Sequence, residues 1–316
     1  MVLRQVTLAI NDYCNNLCVM CNIHENEWKD KMSVSDYRAL FCREEFKQLS
    51  QIDITGGEPF LRRDLHDIVD VILSEVPHLQ WLWINTNGTF PSRVREFIDR
   101  YATRIPKVSV SISIEGEKDI HEVVRGVKSF ELAMETLKVA AKSHYPNVSA
   151  SVSMTITPFN ADLRHLQFVR ELARRMNCSY TFRMAGESEI YYRNKGKHLL
   201  RVTPKAQAGI LEFITKNCFD DPFQRIQKQY LETGKTGLTC TAGTDFLFIQ
   251  ADGQIYPCIF STRKIGNKVQ GLLQTNIADL GKYEPCPCCT ECTVYPMLNY
   301  GPKANQLIQQ NASSDV

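Results

Sequence analysis

Between residues 6 and 184 of this 316-residue chain, six short β-rich runs alternate with stretches of helical periodicity. The runs are VTLAI (6–10), QIDIT (51–55), LQWLWIN (79–85), KVSVSISI (107–114), VSASVSMTIT (148–157) and SYTFRM (179–184). In 94–101, Val94, Phe97, Ile98 and Tyr101 fall at i, i+3, i+4 and i+7, one face of a 3.6-residue period. Further helices are predicted over 33–49, 62–75, 129–142 and 161–175. Six β-then-α units bury their strands in a parallel sheet with helices outside, either doubly wound or as an open barrel. Both architectures do their chemistry at the C-terminal ends of the strands.

The conspicuous polar residues fall at those ends. Cys14 follows the first run, Gly56-Gly57-Glu58-Pro59 the second, and Asn85 and Asn87 the third. Ser113 and Glu115 end the fourth, Thr157 and Asn160 the fifth, and Arg183 the sixth. Beyond a helical stretch at 203–233, FLFIQADGQIYPC (246–258) reads as a hairpin about Asp252-Gly253. The change of character places a domain boundary near 235, giving a barrel over 1–235, a small module over 236–302 and a loosely held tail over 303–316.

Residues 1–10 lack the features of a signal peptide, and no apolar run approaches the ~20 residues that cross a bilayer. The expectation is a cytoplasmic protein without a membrane partner. A net charge of +2 points to no nucleic acid. Twelve cysteines in a reducing compartment then suggest metal ligands or redox chemistry rather than disulfides. Cys14, Cys18 and Cys21 form one group, and six more lie between 240 and 292. Cys42, inside a predicted helix, and Cys178, before the sixth strand, read as core residues. Three thiolates spaced this way fit three corners of an iron-sulfur cube with the fourth iron open; a zinc site completed by His24 is the alternative on spacing alone.

CxxxCxxC after a first strand, GGEP at 56–59 after the second, NTNG at 85–88 and SISIEGEKDIHEVVRG at 111–126 together resemble the radical SAM superfamily. The resemblance covers roughly 6–295. It implies a partial (βα)6 TIM-like barrel in which Cys14, Cys18 and Cys21 bind a 4Fe-4S cluster and the open iron binds S-adenosylmethionine (SAM). It also implies that Gly56, Gly57 and Glu58 meet the SAM amino group, with Asn87 nearby. Ser113 and Glu115 would lie near the ribose and Arg125 near the carboxylate. Met20 stands where the family often has an aromatic residue beside adenine, and Glu115 where Asp is more usual. His121 reads as a helix-surface residue or one standing behind the site. The implied reaction is reductive cleavage of SAM, using electrons from a donor such as flavodoxin or ferredoxin, to a 5′-deoxyadenosyl radical that abstracts hydrogen from a substrate C–H bond.

The C-terminal module is similar to the SPASM/twitch extension of these enzymes, a β-hairpin followed by a helix. By that resemblance Cys240, Cys258, Cys289 and Cys292 hold a second, auxiliary 4Fe-4S cluster, Cys286 with Cys289 giving the same CxxC spacing. Cys288 is a candidate hydrogen-atom donor and Arg183 a candidate substrate contact. Because the sequence begins at its first barrel strand, with no room for a leader-binding domain, the favoured substrate is a small natural-product-type molecule, oxidised or epimerised. A peptide-modifying maturase or epimerase is the second reading, and a non-enzymatic zinc or iron-sulfur scaffold the third.

Overall fold

The computed structural model describes residues 3–196, 200, 202–217, 222–238 and 240–272. Strands β1 (Gln5–Ala9), β2 (Gln51–Thr55), β3 (Trp81–Thr86), β4 (Lys107–Ser113), β5 (Val148–Ile156) and β6 (Ser179–Met184) lie side by side in that order, each parallel to the next. Helices α1 (Val34–Phe41), α2 (Leu65–Glu75), α3 (Pro91–Tyr101), α4 (Lys118–Arg125), α5 (Phe130–Ala141) and α6 (Leu163–Met176) connect them. The fold is the expected partial barrel, with its apolar core between the outer face of the sheet and the helices.

Local sequence sets the helix ends. Ser33 and Asp36 close a capping box at the start of α1, and Asn177 ends α6 in the left-handed conformation. The predicted helix 33–49 stops at Phe41 and resumes as a short turn at Glu44–Phe46. Phe41 and Phe46 are five positions apart, so one continuous helix would point them well apart. The break buries both in edge-to-face contact, ring centroids 5.7 Å apart. It also leaves Cys42 exposed at the end of α1 rather than in the core. Cys178 does pack, half-buried, against the core.

Register stacks the inward-facing residues in layers. Gln5, Gln51, Trp81 and Lys107 align at the strand starts, and Thr7, Asp53, Trp83, Ser109 and Ser149 align one layer further along.

After β6, α7 (Pro204–Asn217) and α8 (Pro222–Thr233) lead to the hairpin of β7 (Phe246–Ile249) and β8 (Gln254–Tyr256). Gly253 takes φ +82° in its turn. β7 pairs in parallel with β1, on the side away from β2. Two short antiparallel strands, β9 (Gly266–Asn267) and β10 (Gly271–Leu272), extend the same sheet. The sheet therefore runs across the expected boundary near 235. CPCCTEC and the tail lie outside the described residues.

Candidate active site

Hydrogen bonds seat the cysteine loop from three segments of the chain. Gly57 N–H donates to the Asn11 carbonyl (3.1 Å) and Glu58 N–H to that of Tyr13 (3.0 Å). Leu17 N–H donates to the Arg125 carbonyl (2.9 Å) and Val19 N–H to that of Val124 (3.0 Å). From the segment after β6, the Tyr192 carbonyl accepts Asn22 N–H (2.9 Å), and Asn194 Nδ2 donates to the Met20 carbonyl (2.7 Å).

The glycine pair exists for this loop. A Cβ on Gly57 would sit 1.8 Å from the Tyr13 carbonyl oxygen. One on Gly56, whose φ is +151°, would sit 2.3 Å from Asn11 Oδ1. The close approach anticipated for a ligand is thus made first by the chain itself, while both glycines also line the cavity.

That cavity, about 490 Å³, opens at the C-terminal end of the barrel. Cys14, Cys18, Cys21, Met20, Asn87 and Arg125 border it, as do Ser113, Arg183 and His24. Among the described residues no three His, Cys, Asp or Glu side chains are grouped to hold a single metal ion. Burial pushes the Cys14 and Cys21 thiols up to about 12 and raises Cys18 as well. Arg125 is their nearest positive charge, its Nη1 3.5 Å from Cys18 Sγ. A bound cation of higher charge would convert such thiols to thiolates. Asn87 Nδ2 stands 3.7 Å from Cys14 Sγ and also donates to Asn15 Oδ1 at 2.8 Å.

The two expected carboxylates stand behind the wall, with none of their surface exposed. Glu58 accepts from Phe60 N–H (3.0 Å), Thr86 Oγ1 (2.9 Å) and Asn87 N–H (2.7 Å), binding the end of β2 to that of β3. Burial lifts its carboxyl to about 7 against these donors. Glu115 ion-pairs with Arg125 and accepts Thr155 N–H at 2.7 Å, so its carboxylate is committed to positioning Arg125. Burial raises the Glu115 carboxyl, with Arg125 and Thr155 N–H opposing. His121 is wholly buried rather than on a helix surface: Nδ1 accepts Glu115 N–H (3.2 Å), and Nε2 lies 3.1 Å from Ser129 Oγ. Arg183 donates to Ser153 Oγ.

Cys240 and Cys258 come together in one apolar cluster with Ala242, Phe246 and Phe260. Cys286, Cys288, Cys289 and Cys292 lie outside the described residues. Sequence reasoning missed Tyr191 and Tyr192, which line the cavity. The Tyr191 hydroxyl donates to the Gly56 carbonyl (2.9 Å) and lies 2.7 Å from Thr55 Oγ1. Two adjacent tyrosines in a polar stretch without strand or helix period were the available signal.

Three buried or half-buried thiols at one end of a cavity, with no further cysteine beside them among the described residues, suit a cube with one free corner. Arg125 Nε is buried with no hydrogen-bond partner among the described residues, which suits a ligand bearing a carboxylate. An open parallel barrel with that donor set at its C-terminal mouth defines an enzyme class that couples an iron-sulfur cluster to a second organic cofactor. The chain belongs to the radical SAM superfamily, whose model matches residues 8–170, and its cofactors are SAM and a 4Fe-4S cluster.

The chain is similar to the sporulation killing factor maturation protein SkfB of Bacillus subtilis, 25% identical over 277 residues, which is 87% of this chain and 64% of that protein. It is 27% identical to a probable GTP 3′,8-cyclase of Archaeoglobus fulgidus over 150 residues, 44% of this chain and 48% of the cyclase. The chain thus covers less than two thirds of either relative's length. The solved structure of native anSMEcpe with bound AdoMet and Kp18Cys peptide superposes with a TM-score of 0.65 over 98% of this chain and 99% of that one. At 17% identity, that likeness establishes a shared fold.

Proposed function

We propose that this protein is a peptide-modifying radical SAM maturase. The observation that carries the reading is the reach of the similarity: the match to a maturation protein spans 87% of this chain, whereas the match to a nucleotide cyclase spans 44%. A small natural-product-type substrate, favoured from sequence, has the weaker support.

When bound, SAM and its reduced 4Fe-4S partner supply a 5′-deoxyadenosyl radical for hydrogen abstraction. Cys14, Cys18 and Cys21 hold the cluster, and Arg125, kept in place by Glu115, receives the SAM carboxylate. The backbone at Gly56 and Gly57 meets the amino group, with Glu58 fixing that turn and Asn87 beside it. Ser113 lies toward the ribose, Met20 gives adenine an apolar contact, and Arg183 contacts substrate. The buried wall around the thiols excludes water from the reacting carbon.

Within a module at 236–302, Cys240 and Cys258 supply two of four thiolates for an auxiliary cluster, with Cys289 and Cys292 completing it and Cys288 left as a thiol. The pairing of Cys240 with Cys258 favours net oxidation of the peptide, and a flavodoxin or ferredoxin serves as electron donor. Anaerobic reconstitution tests the reading: about eight irons per chain are expected from two 4Fe-4S centres, with dithionite-dependent 5′-deoxyadenosine. Replacing Cys14, Cys18 and Cys21 together by Ala abolishes that product, and Cys258→Ala spares it while stopping modification of a peptide encoded beside the gene. Unimpaired SAM cleavage in the triple variant would sink the assignment, and modification of small molecules alone would sink the peptide reading.

A further inference from the structure

The cavity does not end below the cysteine loop. It continues down the barrel to the layer of Gln5, Gln51, Trp81 and Lys107 at the strand starts, about 13 Å along β1 from Ala9 at ~3.3 Å per residue. Parallel barrels usually fill this space with bulky branched side chains. Here the cavity-lining positions of these strands include Ser109 and Ser113 of β4, Ser149 and Thr155 of β5, and Ser179 and Thr181 of β6, alongside the larger Lys107, Tyr180, Arg183 and Met184. Small hydroxyl residues there leave room for a ligand.

Two polar groups deep in this space have no partner among the described residues. Gln5 is 1% exposed and Thr7 is 6% exposed; both residues line the cavity, and Gln5 Oε1 and Thr7 Oγ1 are buried without a hydrogen-bond partner among the described residues. Asp53 explains the orientation of the first. It accepts Gln5 Nε2 (2.6 Å) and Gln51 Nε2 (2.7 Å), fixing the Gln5 amide so that its oxygen remains as an acceptor.

Opposite stand Trp81 and Trp83, ring centroids 5.4 Å apart. Their N–H groups are already used, Trp81 Nε1 donating to Ser109 Oγ (2.8 Å) and Trp83 Nε1 to Asn85 Oδ1 (3.2 Å), and Lys107 covers one face of Trp81, which leaves Trp83 as the aromatic wall. Lys107 lies 3.6 Å from the Trp81 ring centroid. With Lys107 and Asp53 both present, the compartment carries charges of each sign and selects no ion.

We infer that the inner half of the barrel is a compartment for an uncharged side chain carrying both a hydrogen-bond donor and an acceptor, a carboxamide or hydroxyl of the peptide substrate. It rests on the peptide reading for the identity of that substrate. A carboxamide N–H meets Gln5 Oε1, its oxygen accepts from the Thr7 hydroxyl, and its flat face lies on tryptophan. An aliphatic side chain of the same length leaves both protein groups buried and unsatisfied.

The test is anaerobic titration calorimetry of the full, reconstituted, SAM-loaded protein without reductant. The probes are the N-acetyl methylamides of glutamine, norleucine, glutamate and lysine. The glutamine probe is expected to bind at least tenfold more tightly than the other three, and Thr7→Val or Gln5→Met to remove that preference. Thermal melts verify that each variant folds, and the wild-type ranking stands even if neither does. A flat ranking, a preference for norleucine or an ionic probe, or no binding by any probe overturns the inference. Failure of the peptide reading appears elsewhere, as absence of peptide modification under turnover, and leaves this ranking unaltered.

Discussion

Replacing Gly57 by alanine should dislodge the cysteine loop, and the size of the effect follows from two distances. The new Cβ would stand 1.8 Å from the Tyr13 carbonyl oxygen and 2.3 Å from its carbon, both backbone atoms that no rotamer change can move. Reaching ordinary contact requires the loop to retreat by more than 1 Å, which strains or breaks the bonds from Gly57 N–H to Asn11 (3.1 Å) and from Glu58 N–H to Tyr13 (3.0 Å). Each such bond is worth about 1 kcal/mol net, and overpacking adds about 1–3 kcal/mol. The expected destabilisation is about 3–5 kcal/mol, read by urea unfolding of the metal-free chain. Reconstituted Gly57→Ala should also retain much less iron at the first cluster. Gly209, within α7, is the control: an added Cβ there lies 3.7 Å from Leu163 Cδ2, and alanine should be neutral or stabilising by up to about 1 kcal/mol. If Gly57→Ala unfolded within 1 kcal/mol of the parent and loaded normally, the account of the glycine pair would be wrong.

Glu115→Ala strands a buried guanidinium and the Thr155 N–H, so a loss of about 3–5 kcal/mol is expected in the same unfolding assay; Glu115→Gln, keeping an acceptor, should lose less, and equal losses would contradict a charge-positioning role. His121 gives a pH signature. Burial, then Arg125, lowers its pKa to about 3, against ~6.5 for an unfolded histidine. The unfolded chain therefore takes up a proton that the folded chain refuses, and stability falls as pH drops from about 6.5 toward 3, by up to about 1.4 kcal/mol per unit. His121→Gln should flatten that slope between pH 7 and pH 5, and superimposable profiles would refute it.

Most strands were legible because each carries a compact β-rich run; QIDIT and SYTFRM match β2 and β6 residue for residue. α4 was not legible, for a physical reason. Only eight residues long, it buries His121, Val124 and Arg125, with Ile120 packed beside Val124 and Val123 51% exposed, so two of its three buried residues are polar or charged. The helix delivers a cation and a brace to the site, and eight residues are too short a window for hydrophobic periodicity to mark it. The strand-end rule gathered Cys14, Gly56, Asn87, Ser113 and Arg183 around one cavity. It did not say which polar groups face inward. Glu58 and Glu115 lie behind the wall because neighbouring N–H groups and Arg125 claim their oxygens first. The pairing of β1 with β7 leaves no local mark in either segment, since it joins residues far apart in the chain.

That pairing also bears on how the protein is born. Among the described strands β1 leaves the ribosome first, and its partner β7 begins at Phe246. At about 5–20 residues per second, β1 waits on the order of 10–50 s for it. During that interval β1 is an open sheet edge, and the cysteine loop hangs from a strand supported on one side only. A chain cut before Phe246 would make that interval permanent. Lasting iron insertion would then wait until synthesis has supplied β7 to close the open edge of β1.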